Sequence, residues 1–187
     1  ENKVPAYYTD ARFTQVYRSG QTDVENDWVK WDVGYRLPTE AEWEKAARGG
    51  ASGHRFPWAD SEEITHSRAN YYSETNYVYD TSATRGYNPA FNNGSPYTNP
   101  VGYFAANGYG LYDMASNVAE WCWDWFAVYA SGAQTDPRGP ASGSYRARRN
   151  GSWYDSAFNC RSAYRSYNSP TYAGDTLGFR CVLPPGQ

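Results

Sequence analysis

Apolar residues recur with a helical period in only one clear place, 38–48, PTEAEWEKAAR. Thr39 is a good N-cap, and Glu42 three residues later completes a capping box. Trp43, Ala46 and Ala47 make a narrow apolar face, and Gly49 is placed to end the helix, so one is predicted over Pro38–Arg48. The other strong pattern is Trp121-Cys122-Trp123-Asp124-Trp125-Phe126. Alternating tryptophans predict a strand with one buried face, after a short helical turn within Leu111–Glu120. Tyr145–Trp153 and Gly178–Leu183 read as further short strands. Residues 68–112 have no period but are dense in tyrosine, with turn signals at Asn93-Gly94, Ser95-Pro96 and Asn107-Gly108. Rings in so long a stretch are expected to pack the loop down. Residues 131–145, rich in Gly, Pro and Ser, read as a surface loop, and 154–177 shows neither helical nor strand period. No internal repeat or linker marks a boundary, so 1–187 reads as one domain.

Composition narrows the class. The 187 residues include 19 Tyr, 8 Trp, 17 Gly and 11 Pro but one Met, which excludes a helical bundle or a coiled coil. No apolar run approaches the ~20 residues that span a bilayer. The net charge of -3 is interspersed and offers no field for gripping a phosphate backbone, so nucleic acid is not expected as a partner. The 3 cysteines, an odd number, do not form a disulfide framework or a zinc spacing. The first residues have neither the basic start nor the apolar core of a signal peptide.

Several segments, taken in order, carry a resemblance. They are Gly34-Tyr-Arg-Leu-Pro-Thr-Glu-Ala-Glu-Trp-Glu44, Phe56-Pro-Trp58, Asn107-Gly-Tyr-Gly-Leu-Tyr112, Asn117-Val-Ala-Glu-Trp121, Arg149-Asn-Gly-Ser-Trp153, Cys160-Arg-Ser-Ala163 and Leu177-Gly-Phe-Arg180. The set resembles the formylglycine-generating (sulfatase-modifying factor) family from about residue 7 to 183. The resemblance implies an α+β fold of the C-type lectin kind, with little regular secondary structure and long loops. The family's usual elements ahead of the YRLPTEAEWE segment are not matched. Its enzymes oxidise a substrate cysteine with two thiols that bind Cu(I). Here Cys160 falls at the second thiol and Asp155 at the first, while Asn150 replaces a family glycine. A carboxylate does not replace a thiolate on soft Cu(I), so no copper and no oxidase activity are expected.

A subgroup with these motifs resembles the variable proteins of bacterial diversity-generating retroelements. There, adenine-directed mutation of AAY codons cannot yield Lys, Glu, Gln, Met or Trp, and 154–176 contains none of these. The resemblance places a variable region at about 150–180, between the fixed Gly151-Ser152-Trp153 and Leu177-Gly178-Phe179-Arg180. The candidate ligand-binding positions are Tyr154, Asp155, Ser156, Phe158, Asn159, Tyr164, Tyr167, Asn168, Ser169, Thr171, Tyr172, Asp175 and Thr176. Their chemistry is that of a paratope: rigid aromatic area with adaptable polar groups. The rings of Tyr154, Phe158, Tyr164, Tyr167 and Tyr172 are expected to share one exposed face, with Arg161, Arg165 and Arg180 anchoring loops.

The family also implies one Ca²⁺ site, at the Asp113 side chain, the Ser116 and Val118 carbonyls and Glu120, an oxygen set suited to a hard cation. The expected function is a non-catalytic, receptor- or adhesin-like binding module on a bacterial cell surface. Its expected partner is a protein on a host or neighbouring cell. A degenerate or active enzyme of the family and a scaffolding domain are the alternatives.

Overall fold

The computed structural model describes residues 3–20 and 23–185. Helix α1, Glu40–Arg48, starts as its sequence dictates. The Thr39 side chain accepts from the Glu42 N–H at 3.2 Å, the Glu42 carboxylate accepts from the Thr39 N–H at 2.8 Å, and Gly49 ends the helix in the left-handed region.

Beside it lies a four-stranded sheet, made of β1 (Ala119–Trp125), β2 (Arg146–Arg149), β3 (Arg165–Asn168) and β4 (Leu177–Gly178), in the order β3-β2-β1-β4. β2 runs antiparallel to β1 and to β3, whereas β4 is parallel to β1. Glu120 is opposite Arg149 on one side and Gly178 on the other, and Ala119 is opposite Leu177. Chain that leaves the sheet at Arg149 therefore returns to the same end of β1.

The sheet corrects several expectations. No helical turn forms in 111–118, because Asp113, Ser116 and Asn117 take positive φ, which a right-handed turn excludes. The tryptophans of β1 do not share one buried face. Trp121 is only half-buried, while Cys122 and Asp124 between them are buried. β1 is an inner strand, with packing on both faces: Cys122 meets Trp43 and Ala47 of α1, and Trp123 meets Val24 and Val29. The strand expected over Tyr145–Trp153 is confined to β2, because Asn150 turns into positive φ. Gly178–Leu183 contributes only the end of β4 and a single bridge between Val182 and Arg36. Within 154–177, β3 forms without an apolar pattern, as a polar edge strand.

Residues 68–112 hold isolated bridges but no helix or strand. Their rings do pack: Tyr87 meets Tyr72, Tyr97 and Trp153, and Tyr77 stacks on Tyr79. Beneath them Phe56, Ile64, Tyr71, Ala115, Ala157 and Cys160 form a separate core cluster.

Buried charge joins helix to sheet. Arg149, fully buried, donates to Glu40 at 3.1 Å, to Glu44 at 2.9 Å and to the Ser162 carbonyl at 2.5 Å. Arg165 of β3 grips the same Glu40 through two bonds of 2.5 and 2.6 Å. The partners on both terminal nitrogens of Arg149 offset most of the cost of burying its charge.

Candidate functional site

The segment 154–176 lies over the Phe56 cluster and divides by depth. Ala157, Cys160 and Ser162 are buried, whereas every candidate position between Tyr154 and Thr176 is exposed or half-exposed. Backbone contacts hold this course. The Asp155 carbonyl accepts from the Tyr72 N–H at 2.9 Å, and the Ser162 N–H donates to the Arg55 carbonyl at 2.9 Å. The Asp155 carboxylate accepts from the Ser152 N–H at 3.0 Å and the Ser152 hydroxyl at 2.7 Å, so that side chain closes its own turn.

The five candidate rings do not form one cluster. Phe158 meets Tyr164 edge-on at 5.7 Å and stacks on Tyr77 of the tyrosine-rich stretch at 6.1 Å. Tyr154 instead meets Tyr87 at 6.2 Å. Tyr167, on edge strand β3, packs on Phe126 and Tyr145 at 4.6 and 4.9 Å. Tyr172 and Thr171 border a groove elsewhere, facing Tyr7, Tyr17 and Trp121. The walls supplied by Tyr77 and Tyr87 were not foreseen. The tyrosine density of 68–112 was the only signal for them, and it does not say which rings meet the segment.

Ser156 donates to Asn159 Oδ1 at 3.0 Å, and Ser169 and Thr171 share a hydroxyl contact of 3.0 Å. The Asp175 carbonyl accepts from the Trp153 indole at 3.2 Å, and the Thr176 carbonyl accepts from the Ala119 N–H at 2.9 Å. Asn168 is opposite Arg146 in the sheet. Arg161 lies over the Phe158 ring at 3.6 Å and donates to the Phe158 carbonyl at 2.8 Å.

Cys160 is wholly buried, its thiol donating to the Ser156 carbonyl at 3.4 Å. Burial pushes its pKa far up, which suppresses the thiolate. Cys122, also buried with a raised pKa, belongs to the α1–sheet cluster, and Cys181 is exposed; all three thiols are free.

Asp113, Ser116, Val118 and Glu120 line one pocket of about 480 Å³ together with Arg180. Both Glu120 oxygens accept from Arg180, at 2.6 and 2.7 Å, and one also accepts from the Trp43 indole at 2.7 Å. The Asn150 amide donates to the Ser116 and Val118 carbonyls at 2.8 and 3.3 Å. Asp113 accepts from the Gly102 N–H at 2.6 Å and the Asn99 amide at 3.3 Å. The four positions converge, but a guanidinium already neutralises the buried carboxylate. Arranged in this way, the set does not fit a divalent cation.

Comparison with known proteins places this geometry. Residues 6–184 match the model of the sulfatase-modifying factor enzyme 1-like domain. A formylglycine-generating enzyme of Thermomonospora curvata is 42% identical over 169 residues, covering 84% of this chain and 52% of that protein. Serine/threonine-protein kinase pkn1 of Chlamydia pneumoniae is 42% identical over 159 residues, covering 83% of this chain and 22% of that one. Among solved structures, Treponema denticola variable protein 1 superposes with a TM-score of 0.64 at 36% identity, covering 86% of this chain and 53% of that one. The chain thus spans between about a fifth and a half of the length of these proteins. With the motifs in order and the match running almost end to end, this chain belongs to the sulfatase-modifying factor enzyme 1-like family.

Proposed function

We propose that the chain is a non-catalytic binding domain whose 154–176 segment is a surface diversified by a retroelement, with a protein on a host or neighbouring cell as its partner. The observation that carries this reading is the division by depth: the candidate positions are exposed or half-exposed while Ala157, Cys160 and Ser162 between them are buried. Substitution at exposed positions costs within about 0.5 kcal/mol in most cases, so such a segment can change its chemistry and still fold. The likeness to Treponema denticola variable protein 1 supports it. On this reading the domain is exported and displayed at the bacterial surface.

The oxidase reading draws on the formylglycine-generating enzymes among the relatives. Against it stand Asp155 at the first thiol position and the depth of Cys160, since Cu(I) prefers thiolates. Incubation with Cu(I) and a cysteine-containing sulfatase peptide is expected to give no formylglycine; turnover above the protein-free control overturns this part. The diversified surface is tested by sequencing around the gene. A reverse transcriptase and a near-copy of the 150–180 coding segment are expected, and a neighbourhood without either refutes diversification.

A further inference from the structure

Away from Phe158 and Tyr164, a groove of about 700 Å³ runs between the N-terminal segment and the 170–173 turn. Its walls are aromatic: Tyr7, Tyr17, Trp121 and Trp123, with Tyr172 at the rim. The Tyr7 and Tyr17 hydroxyls already have partners. Tyr7 accepts from the Leu37 N–H at 2.7 Å, and Tyr17 donates to the Gly20 carbonyl at 2.5 Å. These bonds fix both rings.

Arg146 lines the same groove. Its guanidinium lies over the Trp125 ring at 3.7 Å and the Trp123 ring at 5.0 Å, and it donates through Nη1 to the Trp123 carbonyl. It is only half-buried, and no carboxylate among the described residues comes within ion-pair range of it. The acidic groups that act on it are Asp23, at the groove, and Asp124, whose carboxylate instead accepts from the Glu40 N–H at 2.7 Å. The contrast within the molecule is plain: Arg149, Arg165 and Arg180 all end on carboxylates, and Arg146 does not. A guanidinium held over tryptophan by one N–H bond and ring contact keeps further N–H donors, which match a carboxylate.

We propose that this groove binds an aryl carboxylate, the ring lying among Tyr7, Tyr17 and Trp121 and the carboxylate accepting from Arg146. The site is separate from the Phe158 surface, and it does not depend on the segment being diversified. Thr171 and Tyr172 at its rim would only adjust which ring fits.

The test compares phenylacetate with phenylacetamide, which keeps shape and removes charge, by chemical-shift titration of the ¹⁵N-labelled protein. Phenylacetate is expected to bind about tenfold more tightly, with shifts at Trp121, Arg146 and Tyr172. Arg146→Gln is expected to erase the difference between the two probes. Two variants guard against a folding defect at β2. Thr171→Trp, at an exposed position, is expected to block both probes, and Asp23→Asn to tighten phenylacetate about twofold by removing a competing charge. Equal affinity for both probes, shifts mapping outside the groove, or binding indifferent to Thr171→Trp overturns the proposal. A domain that binds phenylacetate but lacks a retroelement would refute diversification and leave this site standing.

Discussion

Replacing Arg149 with Met tests whether buried charge holds the candidate surface in place. Methionine fills much of the same volume but cannot donate, so the interactions with Glu40, Glu44 and the Ser162 carbonyl are lost. Breaking a buried ion pair by removing one partner costs about 3–5 kcal/mol. The low end applies, because Glu40 keeps Arg165 and Glu44 keeps Arg48 at 2.6 Å. Losing the bond to the Ser162 carbonyl adds about 1 kcal/mol. One credit runs the other way: Arg149 Nε is buried with no hydrogen-bond partner among the described residues, and removing it relieves about 1 kcal/mol. The net loss is about 3 kcal/mol. For a chain of 187 residues this corresponds to a fall in Tm of roughly 6–12 °C. Calorimetry at neutral pH reads the fall, and hydrogen exchange at Ser162 and its neighbours is expected to quicken first. A fall of less than about 2 °C, with exchange in 154–164 unchanged, would refute the idea that Arg149 anchors the segment.

Two further outcomes follow from burial. Asp124 is held up at about 6, first by desolvation and then by the Glu40 charge, so the folded state binds its proton more tightly than the unfolded state does. That contribution to stability is present below the unfolded value near 4 and is lost as pH rises through 6, so Asp124→Asn is expected to stabilise at pH 7–8 by about 1–2 kcal/mol relative to wild type and to lose that advantage by pH 4; the same difference at both pH values in urea melts would contradict it. Native protein is expected to titrate a single thiol with a disulfide reagent, at exposed Cys181, and all 3 once unfolded; rapid reaction of a second thiol would mean that Cys160 or Cys122 is accessible.

What the sequence reveals follows from the range of the interactions involved. The helix was legible because Thr39, Glu42 and Gly49 all act on one short stretch of chain, Glu40–Arg48, and need no distant partner. The position of β1 was legible from its tryptophans, but its two-sided burial was not. That depends on α1 reaching Cys122 and on Val24 and Val29 reaching Trp123 from far along the chain. β3 was invisible because an edge strand of Arg, Ser, Tyr and Asn buries little and gains its order from pairing with β2. The candidate segment was marked by composition and by flanking motifs. The rings it meets, Tyr77 and Tyr87, come from a stretch with no period, and Arg180 sits beside Glu120 through a bond that spans 60 positions. No local pattern carries such information.

The segment between β2 and β4 starts and finishes against adjoining residues of one strand, with Arg149 opposite Glu120 and Leu177 opposite Ala119. Its two ends are therefore held close together whatever lies between them. For a tethered loop, doubling the length adds only about 0.6 kcal/mol of closure entropy. Between the two ends, β3 and the buried Ala157, Cys160 and Ser162 are fixed parts of the frame, so the natural place for a change of length is the exposed 170–175 turn between β3 and β4, where added residues leave the sheet intact.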